Sequence, residues 1–128
     1  MSNFSAQFEV FSPRWGHADY YRITFSPKEM HISNGSNTFS AICKLVENCD
    51  PEWSGYNSRS GNPLMNIFSN DSIRVPAIVP FAMEWAWKQW REGNIDEDVI
   101  KTGLEELFEW INQTAKSKPC SELWRGAF

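Results

Sequence analysis

The chain has 128 residues, of which 41% are apolar, 15% aromatic and 22% charged, with a formal charge of −4 and a pI of about 5.1. That length suits one globular domain over residues 1–128, able to bury roughly two-thirds of its unfolded surface without metals or disulfides, and the composition excludes a disordered chain, which combines low hydrophobicity with high net charge. The acidic balance without a Lys/Arg cluster argues against a nucleic-acid partner, and the absence of an apolar run of ~18–20 residues argues against a membrane span.

The N-terminal stretch MSNFSAQFEVFSPRW lacks the basic start and apolar region of a secretory signal. Cys43, Cys49 and Cys120 form an odd set without CxxC spacing, which points to reduced thiols and a cytoplasmic protein. In AQFEVFS, Ala6, Phe8 and Val10 alternate with polar residues at the period of a half-buried strand. SPRWG breaks it, and DYYRITF follows as a strand of aromatic and β-branched residues, with Tyr21, Ile23 and Phe25 on one face and Tyr20, Arg22 and Thr24 on the other. SPKE turns the chain. MHIS then leads into Asn34-Gly35, whose tolerance of positive φ suits a type I′ hairpin, and TFSAICKLV reads as the return strand.

Residues 47–63, ENCDPEWSGYNSRSGNP, are dominated by turn formers and predict irregular structure. At about seventeen residues the segment exceeds the ~12–15 usual for a structureless connection, a length often associated with function. LMNIF reads as a further strand, SNDS as a turn and IRV as a short strand. The second half is helical. Pro80 fits a first helical turn, Gly93 a C′ position, and Asp96 an N-cap followed by Glu97 and Asp98 at the positive end of the dipole. From there to about Lys116, Val99, Ile100, Leu104, Leu107, Phe108, Ile111 and Ala115 share one half of the wheel, opposite Lys101, Glu105, Glu106, Glu109, Asn112, Gln113 and Lys116. The aromatic tail is expected to dock Leu123, Trp124 and Phe128 on the body. The expected class is α+β, an antiparallel sheet of four to five strands in the N-terminal half packed against two C-terminal helices.

Three of the seven tryptophans fall in FAMEWAWKQWR. Phe81 and Trp85 lie on one flank, Met83, Trp87 and Trp90 form another stripe, and Ala82 and Ala86 lie between. Only Glu84, Lys88 and Arg91 make a polar edge, so the apolar arc covers about two-thirds of the circumference, against the ~100° of an ordinary surface helix. Such a helix needs cover on more than one side, from its own core and from a second subunit. Trp85, Trp87 and Trp90 are therefore candidate interface residues and a homodimer is expected.

Chemical signatures are sparse. His17 and Asp19 form a His-x-Asp pair that a small hydrolase-like enzyme could use as base and orienter, the alternative to a binding role. No nucleophile elbow or phosphate loop accompanies them. His17, His31, Cys43 and Cys49 lack metal-ligand spacing, so neither a metal nor a cofactor is expected. Binding residues are sought instead in the 50–63 loop, where Trp53, Tyr56 and Arg59 offer stacking surface and a forked donor, and on the sheet, where Tyr20 and Arg22 face away from the apolar stripe. The reading is a non-enzymatic binding or interaction module with aromatic-lined surfaces for a small molecule or protein partner.

The run LFEWINQTAKSKPCSELWRGAF resembles the closing segment of small bacterial proteins encoded in integron mobile gene cassettes. The resemblance covers mainly residues 104–128 and, more loosely, YYRITF and LMNIFSNDSI. It implies a bacterial, cytoplasmic accessory protein and transfers no site residues.

Overall fold

The computed structural model describes residues 3–117 apart from 13, 35–39, 56–61, 71–72 and 74, with the backbone alone at residue 70 and residues 114–117. Five strands come first: β1 (Phe4–Ser12), β2 (His17–Phe25), β3 (Glu29–Asn34), β4 (Ser40–Lys44) and β5 (Glu52–Gly55). Among the described residues three helices follow: α1 (Pro63–Asn70), α2 (Ile78–Glu92) and α3 (Glu97–Ser117). The strands form one antiparallel sheet in the order β1-β2-β3-β4-β5. The α+β class is the one expected from the sequence, with one helix more than the two read there.

Alternation places Phe4, Phe8 and Val10 of β1 on the same face as Tyr21, Ile23 and Phe25 of β2, and all six are buried. The β1–β2 turn closes through Gly16 at φ 73°, whose N–H donates to the Ser12 carbonyl at 2.9 Å. The β2–β3 turn at SPKE is held by Ser26, whose hydroxyl donates to the Glu29 carbonyl at 2.8 Å. The Asn34-Gly35 turn lies outside the described residues; β3 and β4 pair from Ser33 opposite Ser40 to Glu29 opposite Lys44.

Two elements depart from the expectation. The segment 47–63 is not wholly irregular, because Glu52–Gly55 pairs with β4, Trp53 standing opposite Cys43. A short strand carrying Glu52 thus covers the edge that β4 would otherwise leave open. Gly55 permits it: φ is 132°, and a Cβ there would run into the Ser40 carbonyl oxygen. LMNIF, read as a strand, lies in helix α1. Its buried residues Leu64, Ile67 and Phe68 recur at helical spacing, a period that five residues of sequence barely reveal. Asn62 caps the helix, its Oδ1 accepting from the Leu64 N–H at 2.9 Å, and Pro63 occupies the first position. Ile73 and Val75 of the expected IRV strand are buried but belong to no strand.

Helix α2 ends and α3 begins as local chemistry demands. Pro80 lies in the first turn of α2, and Gly93 closes the helix at φ 69°, donating to the Trp90 carbonyl at 3.2 Å while Asn94 N–H reaches Gln89 at 3.1 Å. Val99 and Ile100 N–H groups both donate to the Asp96 carbonyl at 3.1 Å, opening α3. The helices cover the apolar face of the sheet. Phe108 of α3 stacks on Phe8 with ring centroids 4.7 Å apart, Phe68 of α1 stacks on Tyr21 at 4.9 Å, and Trp90 of α2 meets Phe25 at 5.8 Å. Each such pair adds ~0.5–1.5 kcal/mol beyond its burial. The expected docking of Leu123, Trp124 and Phe128 lies outside the described residues.

Candidate functional site

Helix α2 divides its aromatic residues between inside and outside. Met83, Trp87 and Trp90 form the buried stripe. The Trp87 indole N–H donates to the Ser26 carbonyl at 2.9 Å, the Arg91 guanidinium carbon lies 4.0 Å from its ring centroid, and Trp90 Nε1 donates to Glu97 at 3.2 Å. This corrects the assignment of all three tryptophans to an interface. Trp87 and Trp90 are consumed by the chain's own core, and only Trp85, 58% exposed, has surface to offer.

Beside Trp85 a groove of about 500 Å³ opens between α2 and α3. Small residues, Ala82 and Ala86 on α2 and Gly103 on α3, line it together with Trp85, Val99 and Trp110. Val99 is 58% exposed and Trp110 43%, while Phe81, one turn before Trp85, is 65% exposed. The apolar half of α3 therefore splits: Ile100, Leu104, Phe108 and Ile111 are buried, and Val99 faces outward. Trp110 is a groove residue that the sequence alone does not single out. Its signal was the spacing Val99, Gly103, Leu107, Trp110, a second apolar stripe beside the core stripe.

A second cleft, about 590 Å³, lies between β5, α1 and α2. Trp53, half-buried against the core, lines it with Phe81, Met65 and Pro80, and Asp50 and Glu84 supply carboxylates. Trp53 Nε1 donates to Glu84 Oε2 at 3.2 Å, joining β5 to α2 across 31 positions of sequence. Of the loop residues expected to bind, Trp53 lines a cleft; Tyr56 and Arg59 lie outside the described residues.

The other candidates lie on the sheet. Tyr20 is 51% exposed on the face away from the helices, with Arg22 on that face too. Arg22 stands opposite Gln7, whose amide oxygen, turned toward it, accepts from Nε at 3.0 Å and Nη2 at 2.7 Å. Its fork is thus engaged by the neighbouring strand. His17 and Asp19 share a face of β2, but each engages local backbone: His17 Nδ1 lies 3.1 Å from the Ala18 carbonyl, and Asp19 Oδ1 accepts from Tyr20 N–H at 2.8 Å. Neither residue lines the groove or the cleft.

Cys43 sits on the covered face of β4. Burial pushes its thiol up to about 12; the nearby Glu84 carboxylate adds to this and the Arg91 charge opposes it. Burial lowers the Arg91 pKa in turn, against the Glu92 carboxylate and Cys43. Among the described residues, no three His, Cys, Asp or Glu side chains come together in a way that could hold a metal ion, and no helix is long and apolar enough to cross a membrane.

No curated protein matches the sequence. A solved structure, an integron cassette protein from the mobile metagenome of V. cholerae, is 33% identical with a TM-score of 0.77, the match covering 97% of this chain and 98% of that one. A family model described as integron cassette protein matches residues 4–115, a span that contains YYRITF and LMNIFSNDSI and ends inside the C-terminal run that carried the resemblance. Strands and helices alike fall within that match, and the chain belongs to the integron cassette protein family.

Proposed function

We propose that this protein is a non-enzymatic interaction module of the bacterial cytoplasm that pairs with a second copy of itself through the apolar face spanning α2 and α3. One observation carries the reading: exposed aromatic side chains, Trp85 and Trp110, stand beside a groove lined by Ala82, Ala86 and Gly103. A ridge next to a groove on one surface is self-complementary under a two-fold axis, because each copy offers what the other needs. Covering Trp85, Val99 and Trp110 hides on the order of 350 Å² per copy, a central part of the ~800 Å² per partner of a standard interface. Gly103 supports close approach: a Cβ there would meet no described atom within 4 Å beyond the local backbone of its own helix. A glycine in a helix interior costs ~0.5–1 kcal/mol relative to alanine, and an approaching neighbour gives it a use. The free thiols of Cys43 and Cys49 fit a reducing compartment.

The test is size-exclusion chromatography with light scattering over a concentration series. The wild type is expected to be dimeric, and Ala82→Glu, which places a charge in the groove from an exposed position, to give a folded monomer. A wild type that stays monomeric at all concentrations overturns the reading. The groove would then be left to residues 118–128 or to a small apolar molecule, and shielding of Trp85 from a soluble quencher that is lost on truncation after Ser117 would identify the former.

A further inference from the structure

The second cleft has a different chemistry from the groove. Its described walls are apolar and aromatic, with Trp53 on one side and Phe81, Met65 and Pro80 on the other, and the charged groups among the described lining residues are Asp50 and Glu84. None of its described lining residues carries a positive charge, and Lys88, one turn along α2 from Glu84, is not among them. The Glu84 carboxylate is half-buried and held beside the indole ring by the Trp53 N–H at 3.2 Å. At about 590 Å³ the cleft falls within the ~300–1,000 Å³ of small-molecule sites.

We infer that this cleft binds a small organic cation, an ammonium group carried on an apolar or aromatic body. The two requirements of the site select that class. An aryl or alkyl body fills the apolar walls and removes them from water. An ammonium centre meets the carboxylates and lies against the faces of Trp53 and Phe81, whose ring quadrupoles attract cations. A neutral molecule of the same shape takes water from Asp50 and Glu84 without replacing it by a partner. An anion adds repulsion. The inference is independent of dimer formation, since the groove and the cleft lie on different flanks of α2.

Three probes share one aromatic body and differ in charge: 2-phenylethylammonium, 2-phenylethanol and phenylacetate. Titrated at neutral pH into the full chain and followed by tryptophan fluorescence and calorimetry, the ammonium is expected to bind about tenfold more tightly than the alcohol, and phenylacetate most weakly. Glu84→Gln keeps an acceptor for the Trp53 N–H and should abolish the preference for the cation while leaving alcohol binding unchanged. Asp50→Asn, at an exposed position, should weaken the ammonium about threefold without affecting folding. If Glu84→Gln lowers the melting temperature, Asp50→Asn decides. Equal affinity for ammonium and alcohol, retention of the preference in the variants, or no saturable binding of the ammonium below about 10 mM overturns the inference.

Discussion

Trp85 and Trp87 stand two residues apart on α2 and meet opposite surroundings. Trp87 is fully buried, hydrogen-bonded to the Ser26 carbonyl and covered by Arg91, while Trp85 is 58% exposed at the edge of a groove. A two-residue step turns a helix by about 200°, so one side chain points at the sheet and the other away from it. The chain nevertheless makes both sides apolar. The inner stripe is explained by the core of one molecule; the outer stripe leaves large apolar side chains more than 40% exposed among the described residues, a surface that association would cover. Cys43 and Cys49 repeat the contrast in miniature, the first buried with its thiol pushed up to about 12 and the second exposed.

The comparison breaks most visibly at the tryptophans. Trp87→Ala should lower folding stability by ~3–5 kcal/mol in denaturant unfolding, since it leaves a cavity under α2 and removes the donor to Ser26. Trp85→Ala should leave the monomer's stability nearly unchanged and weaken association instead; comparable losses of stability in both variants would erase the distinction. Next comes alkaline pH. Below the ordinary thiol value of 9.0, Cys43 is protonated whether the chain is folded or not; between there and about 12 the unfolded chain releases a proton that the folded chain retains. Stability therefore falls as pH rises through that window. In a Cys120→Ser background the decline should be steeper than in the additional variant Cys43→Ala, and a thiol reagent at neutral pH should modify Cys49 alone until the chain unfolds. The smallest effect is at Gly103. Gly103→Ala should stabilise the isolated monomer by ~0.5–1 kcal/mol, the new Cβ meeting no described atom within 4 Å beyond the local backbone of its own helix, yet weaken the dimer.

Much of this architecture is legible locally. Pro80, Gly93 and Asp96 mark the helix boundaries because caps depend on residues within one turn, and the alternation in AQFEVFS and DYYRITF names the covered face because a strand's period is two. LMNIF was harder: five apolar residues fit either period, and the preceding Asn62-Pro63, a cap followed by a first-turn proline, was the better guide. Strand β5 was hidden in a run of turn formers because its pairing is supplied by β4, not by its own composition. Of the expected binding residues, Trp53 could be picked as an aromatic in a loop, but Glu84, its hydrogen-bond partner, was read only as part of the polar edge of α2.

By itself the sequence determined the α+β class, the strand-rich first half, the limits of α2, the start of α3 and the excess of apolar surface on α2, because each follows from interactions a few residues apart or from counting side chains. Which tryptophans are buried was decided only by the tertiary structure. The wheel of α2 shows an arc wider than a single core can cover, and the sheet and its neighbours take the part that contains Trp87 and Trp90. The same holds for the groove beside Trp85 and the acidic, aromatic cleft around Trp53: both are built by residues far apart in sequence, and their shape depends on how the elements pack.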